Sequence, residues 1–208
     1  MLTLSITKRQ IILLESILKK KINKSYLIIF FLIFSFSTSH ANQKWIIDKN
    51  ISRISFEVPV LFATNVKGDF KDIDGFVEID LKNRTNNKAI LSVSVASVDS
   101  NYKKYRKLLL GPLFFDILNY PIGLIDTKKF IYNDESELNI NVELTIKGIS
   151  KIVEAELKVK KLTSEIVQIL GSLEFSRTDF NIGTGSWSNT SILRDNIIID
   201  SNIFLIKE

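Results

Sequence analysis

The chain has 208 residues with 28 Lys+Arg, 23 Asp+Glu, one His and no Cys, which suits one domain with an N-terminal appendage. Residues 1–41 hold six of the basic residues and one acid, so residues 42–208 carry 22 of each sign and leave no basic stripe for nucleic-acid phosphates, whatever the overall charge of +5 suggests. His40 lies within the first 41 residues, so the remainder has no soft metal ligand, His-based triad or disulfide.

Tyr26 to Phe36 is an apolar run of eleven residues, preceded by Lys19, Lys20, Lys21 and Lys24 and followed by Ser39-His40-Ala41. It is shorter than the ~18 residues a spanning helix needs, and Ser39 and Ala41 fit a signal-peptidase site with cleavage before Asn42. Residues 1–41 are therefore expected to be a leader and 42–208 an exported domain. The alternative is an uncleaved anchor that tethers the domain to a membrane. Ile11, Leu14, Ile17, Leu18 and Ile22 read either as an amphipathic helix or as the product of a mis-assigned start codon.

Beyond Asn42 the pattern is period two, the signature of strands with one wet face. Ile54, Phe56, Val58 and Val60 alternate with Ser55, Glu57 and Pro59, and Val77, Ile79 and Leu81 with Glu78 and Asp80. Leu91, Val93 and Val95 repeat the pattern. Asn101 to Leu110 has no alternation and is the one helical stretch, stopped by Gly111-Pro112. A strand is predicted over Ile125 to Ile131. The alternation of Leu138 to Ile146 and Val153 to Val159 around Lys147-Gly148-Ile149-Ser150 predicts a hairpin. Two more strands are predicted, over Ile166 to Ser176 and Ile197 to Ile206. Eight antiparallel amphipathic strands form either a sandwich or a closed barrel. The barrel is preferred because closure abolishes exposed edges. The predicted class is thus all-β, an eight-stranded antiparallel barrel with one short helix.

The motifs in order resemble one family. Trp45-Ile46-Ile47-Asp48 with Ser52-Arg53-Ile54-Ser55-Phe56 is similar to the W-x-x-D-x-x-x-S-x-I-x-F opening of the YceI-like proteins. Val66-Lys67-Gly68-Asp69-Phe70 with Gly75 resembles their glycine-marked hairpin, and Ser97-Val98-Asp99 their S-I-D. Phe114 to Pro121 resembles F-F-D-x-x-x-Y-P, Leu144 to Lys151 resembles L-T-I-x-G-V-T-K, and Arg177 to Gly183 resembles R-x-D-F-G-I-G. The resemblance spans residues 45–206. It implies a lipocalin-like barrel with an apolar interior that binds a long isoprenoid chain, in proteins commonly exported to the periplasm. Such a ligand, a quinone or polyprenyl molecule, needs an aliphatic and aromatic host and no catalytic group or cofactor. At ~0.3 kcal/mol per heavy atom, a chain of about forty carbons reaches nanomolar affinity at best. One segment departs from the family: Tyr105-Arg106-Lys107-Leu108-Leu109 stands where R-D-x-H-L is common, with leucine for the histidine. Those positions are not carried over as ligand contacts.

Alternation places Ile54, Phe56, Val58, Val77, Ile79, Val93, Val95, Val142, Leu144, Leu157 and Phe175 on the inward face. Phe70 also joins the expected ligand-binding set. Phe114 and Phe115 are expected either to line the barrel mouth or to cap the core. Because small barrels are often filled by their own side chains, a solid core is the competing expectation. Arg177 and Asp179, two apart in an expected strand, are predicted to share a face and to pair structurally, with each other or with residues across the sheet. Asp69, Asp72 and Asp74 read as a charged hairpin, since the spacing of a calcium loop is absent. Trp187 is expected to be a barrel-end plug or an interfacial contact. Three functions follow in order of preference: an exported lipid carrier, touching a membrane surface or membrane protein; a filled-barrel accessory of a membrane redox complex, which the family's association with cytochrome-type partners suggests; and an enzyme, for which no nucleophile or metal motif speaks.

Overall fold

The computed structural model describes residues 42–61 and 65–208, so the predicted leader and its cleavage site lie outside the described residues. Eleven strands and one helix follow in chain order: β1 (Gln43–Ile47), β2 (Arg53–Val58), β3 (Val66–Phe70), β4 (Ile73–Ile79), β5 (Lys88–Ser94), β6 (Val98–Ser100), α1 (Lys103–Leu110), β7 (Ile122–Asp126), β8 (Glu137–Ile146), β9 (Ile149–Lys161), β10 (Ile166–Ser176) and β11 (Asn196–Lys207).

The pairings reduce these to eight long strands. β11 pairs with β2 through Ile198–Asn202 and with β1 through Leu205–Lys207, so β1 and β2 are two halves of one strand interrupted at Asp48–Ser52. β3 and β4 pair with those same halves, and β5 and β6 pair with β4 and β3 in turn. The ladder then runs β5-β7-β8-β9-β10-β11 and closes on β1. Every consecutive long strand is a spatial neighbour, the topology of an up-and-down barrel without free edges. The predicted closed barrel is therefore the observed architecture.

Specific side chains enforce the breaks. Ser52 is fully buried and takes both backbone groups of Phe204, accepting from its N–H at 3.0 Å and donating to its carbonyl at 3.5 Å. Asp48 accepts from the backbone N–H of Asn50, which tightens the bulge. These two residues are the D and S of the opening motif. Lys147 and Gly148 both have positive φ, 50° and 72°, the geometry of a two-residue type I′ turn, which sets the register of β8 on β9.

Two expectations shift. The strand predicted over Ile125–Ile131 is instead β7, Ile122–Asp126, because Lys128 turns to φ 54° with its N–H on the Asp126 carboxylate, leaving Phe130 only an isolated bridge to Asn87. The aspartate cluster is not in a hairpin: β3 and β4 run on in one direction through Lys71-Asp72. There Lys71 pairs with Asp99 at 3.0 Å and Asp69 at 3.8 Å, and Lys49 with Asp74 at 2.6 Å.

These surface pairs set the pH response. Hydrogen bonds from lysine and from backbone N–H groups hold Asp74, Asp80, Asp99 and Asp134 below their ordinary 3.8, and Lys44, Lys49, Lys71 and Lys161 are held above 10.5 by their carboxylate partners. A lowered carboxylate stabilises the fold above its unfolded pKa and loses that contribution as pH falls through the folded value. A raised lysine stabilises below 10.5 and loses its contribution as pH rises further. With no histidine after His40, melting temperature should be flat from about pH 5 to 9 and fall on both sides, as thermal denaturation across pH will show. A step near pH 6.5 would contradict this reading.

Candidate functional site: the barrel interior

Inward-facing positions of all eight long strands enclose two adjoining cavities. One, of about 490 Å³, lies toward the end where the chain enters β1; the other, of about 150 Å³, lies toward the α1 end. Ile54, Ile125, Leu173 and Ile199 line both and form the waist between them. An apolar void of about 150 Å³ can stay dry and accept a benzene-sized guest, and about 300–1,000 Å³ is usual for a ligand pocket.

All fourteen residues singled out from the sequence line one cavity or the other. Phe56, Val58, Phe70, Val93, Val95, Phe114, Phe115, Leu144 and Phe175 line the smaller, Val77, Ile79, Val142 and Leu157 the larger, and Ile54 both. Val95 reaches its place from a 3₁₀ turn after β5 rather than from a strand. The sequence reading passed over Ala89, Ile140, Ala155, Val167, Leu173 and Leu205, which also face inward. Ile140 and Ala155 lie in step with Val142 and Leu157 in alternating runs already identified, so period two alone would have supplied them.

The α1 end is closed by aromatic packing. Phe70 meets Phe56 at 5.7 Å and Phe115 at 5.8 Å, and Phe114 meets the Trp187 ring edge-on at 5.7 Å. Phe114 and Phe115 thus cap the bottom of the interior, and Trp187 is part of the plug. From α1, Tyr105, Leu108 and Leu109 complete the wall.

Arg177 fastens this end, in a manner the sequence reading did not foresee. It opens a 3₁₀ turn, Arg177–Phe180, so it does not share a strand face with Asp179, which is exposed. Its guanidinium is fully buried and gives its N–H groups to five backbone carbonyls: Nε to Arg194, Nη1 to Ile182 and Gly183, Nη2 to Trp187 and Leu193, at 2.8–3.0 Å. Burial pushes its pKa down, which Asp195 partly offsets. Gly183 has φ 72°, and a Cβ there would stand 2.8 Å from Arg177 Nη1. Gly183→Ala should therefore cost about 1–2 kcal/mol of stability, read by urea denaturation.

The opposite end carries a charged rim. Asp80, Arg84, Tyr132, Asp134 and Lys161 line the larger cavity there. Lys161 pairs with Asp134, which also accepts from the Tyr132 hydroxyl at 3.3 Å. Burial first, and then Asp134, raise the Tyr132 pKa. Asn87, fully buried, ties the rim loops by donating to the carbonyls of Arg84 and Phe130 and accepting from the N–H of Asp80. Among the described residues no group of three or more His, Cys, Asp or Glu side chains is placed to hold a metal.

Fold and interior together define a lipocalin-like barrel with an apolar chamber, an aromatic floor and a charged rim. The YceI-like domain matches residues 45–205, and the chain belongs to that family. Protein YceI of Escherichia coli O157:H7 is 31% identical over 106 residues, 51% of this chain and 55% of that protein, so the chain spans about half the length of the curated relatives it matches. BcnA of Burkholderia cenocepacia superposes with a TM-score of 0.69 at 26% identity, over 76% of this chain and 98% of that one. The Campylobacter jejuni YceI protein gives 0.57 at 27%, over 72% and 89%. A polyisoprenoid binding domain from Saccharophagus degradans, implicated in plant cell wall breakdown, gives 0.63 over 79% and 98%; at 13% identity this is a likeness of fold alone.

Proposed function

We propose that the protein is an exported, non-enzymatic carrier that holds one isoprenoid molecule, a quinone or a polyprenyl compound, inside the barrel and ferries or sequesters it in the periplasm. The observation that carries this reading is the interior itself: two adjoining apolar cavities span the barrel, and their charged groups stand at the ends. Each CH₂ moved from water into such walls is worth about 0.8 kcal/mol, so hydrocarbon length supplies the affinity and no reactive group is needed. The same barrel architecture serves a polyisoprenoid binding domain in Saccharophagus degradans. The apolar run at Tyr26–Phe36 followed by Ser39 and Ala41 supports export. At the rim, Arg84 is the group suited to donate to a head-group oxygen.

The test is uptake from vesicles doped with ubiquinone or an undecaprenyl lipid, with the protein recovered free of lipid bilayer and its content measured. One molecule per barrel at sub-micromolar exchange is the expected result. No uptake of either class, with the protein folded, would sink the carrier reading.

A further inference from the structure

The outer surface at the α1 end carries two features that the interior does not use. The first is charge. α1 contains no acid, and its two faces differ: Tyr105, Leu108 and Leu109 close the smaller cavity, whereas Lys103, Arg106 and Lys107 are exposed on the other side. Spacing of three and four residues puts those three cations on one face of the helix. Arg106 is fixed there by hydrogen bonds from Nε to the Val98 carbonyl at 3.0 Å and from Nη2 to the Ala96 carbonyl at 2.7 Å.

The second is an apolar strip. In Leu118-Asn119-Tyr120-Pro121-Ile122-Gly123-Leu124 every second residue is apolar and exposed to solvent: Leu118 is 93% exposed, Tyr120 37%, Ile122 47% and Leu124 41%, the last also bordering the smaller cavity. Leu118, Tyr120 and Ile122 line neither cavity, whereas Ile125 on the opposite parity faces the interior. The strip and the cations adjoin. Leu118 shares a surface groove with Lys103, Arg106 and Lys107, and Pro121 accepts from the N–H of Val95, beside the Ala96 carbonyl that anchors Arg106. Asp116 is the acid lining that groove, and its carboxylate accepts from the Asn119 side chain.

We infer that this face is a docking surface for an anionic lipid bilayer, with Leu118 and its neighbours entering the interfacial region and the α1 cations meeting the head groups. Isolated apolar residues on a surface need no explanation, but a leucine almost wholly exposed, continued by Tyr120 and Ile122 and flanked by three cations, has the composition of an interfacial anchor. Charge selects the occupant: the cations outnumber the acid in the groove three to one. Docking also brings α1, the wall of the smaller cavity, against the bilayer. The inference rests on the carrier reading for its purpose only; binding to vesicles free of isoprenoid measures it separately.

The test is flotation of the purified chain with vesicles of phosphatidylglycerol and phosphatidylcholine, titrated in anionic fraction and salt. Binding is expected to rise with phosphatidylglycerol and to weaken with salt. Each basic residue near an anionic surface is worth about fivefold in partition, so Lys103→Gln with Lys107→Gln should weaken binding on the order of twentyfold. Leu118→Ser should weaken it about tenfold or more. These side chains are exposed, so folding is retained and circular dichroism will show it. Lys160→Gln with Leu162→Ser, at the far end of the barrel, should leave binding unchanged. No binding at any anionic fraction, or equal binding by all variants, overturns the proposal. So does a dimer that Leu118→Ser dissociates in the absence of vesicle binding, which would assign the strip to a second copy of the chain.

Discussion

Replacing Ala155 by Phe is expected to abolish isoprenoid uptake while leaving the protein folded and about as stable as before. Ala155 is 4% exposed, sits on β9 opposite Ile140 and Leu173, and lines the larger cavity among Val142, Leu157 and Val167. In a close-packed core, adding a ring costs about 1–3 kcal/mol, because neighbours leave their rotamers and the backbone shifts. In a chamber of about 490 Å³ the ring has room, and dispersion contacts with the walls offset part of its ordering cost. It occupies space that the ligand chain otherwise fills. Stability from urea denaturation should change by less than about 1 kcal/mol and uptake should fall at least thirtyfold. A loss of about 3 kcal/mol would indicate a filled barrel, as a protein that works through its outer surface would have.

Arg177→Met should be the most destabilising of these substitutions, by about 3–5 kcal/mol, lowering the melting temperature by about 10 °C. The unbranched stem is kept and the guanidinium with its five donors is lost, which strands the carbonyls of Ile182, Gly183, Trp187, Leu193 and Arg194 in the plug. An unsatisfied buried acceptor costs about 1–3 kcal/mol, and water reaching some of the five keeps the total below their sum. Arg177→Lys should recover only part of the loss, since an ammonium has three donors and no planar fork. Asp195 braces the same segment, accepting from the Ser176 hydroxyl at 2.6 Å and the Thr178 N–H at 3.1 Å, so Asp195→Asn should cost less than Arg177→Met. Equal stability of Arg177→Met and the parent, by thermal and urea denaturation, would refute this assignment.

Why some of this was legible in the sequence and some was not follows from how local each signal is. The eight long strands and their inward side chains express period two, which each strand carries within itself, so Phe56, Val142 and Leu144 were found from their own neighbours. The I′ turn at Lys147-Gly148 is equally local. β7 was misplaced because Phe130 and Ile131 are as apolar as a strand, and only the left-handed turn at Lys128 removes them from the ladder. Apart from Phe175, the interior positions of β10 and β11 are hidden for another reason. Ile197-Ile198-Ile199 and Ile169-Leu170 place apolar residues on both faces, and only pairing decides which of them points inward. Arg177 is expected to pair with Asp179 or across the sheet, and it instead holds backbone carbonyls of the segment that follows it. Its five acceptors lie up to 17 residues away in a loop whose path no spacing rule supplies. The volume of the interior was beyond reach altogether, since alternation reports which side is apolar and is silent about how much space it encloses.

The claim that the barrel is hollow and occupied by an isoprenoid is tested most directly by native mass spectrometry of residues 42–208, purified without detergent from a membrane-containing bacterial host, followed by solvent extraction. The account predicts a one-to-one adduct whose extracted lipid is a quinone or a polyprenyl compound, and its absence from Ala155→Phe prepared in parallel. A bare polypeptide mass that persists after incubation with quinones and polyprenyl lipids would contradict it.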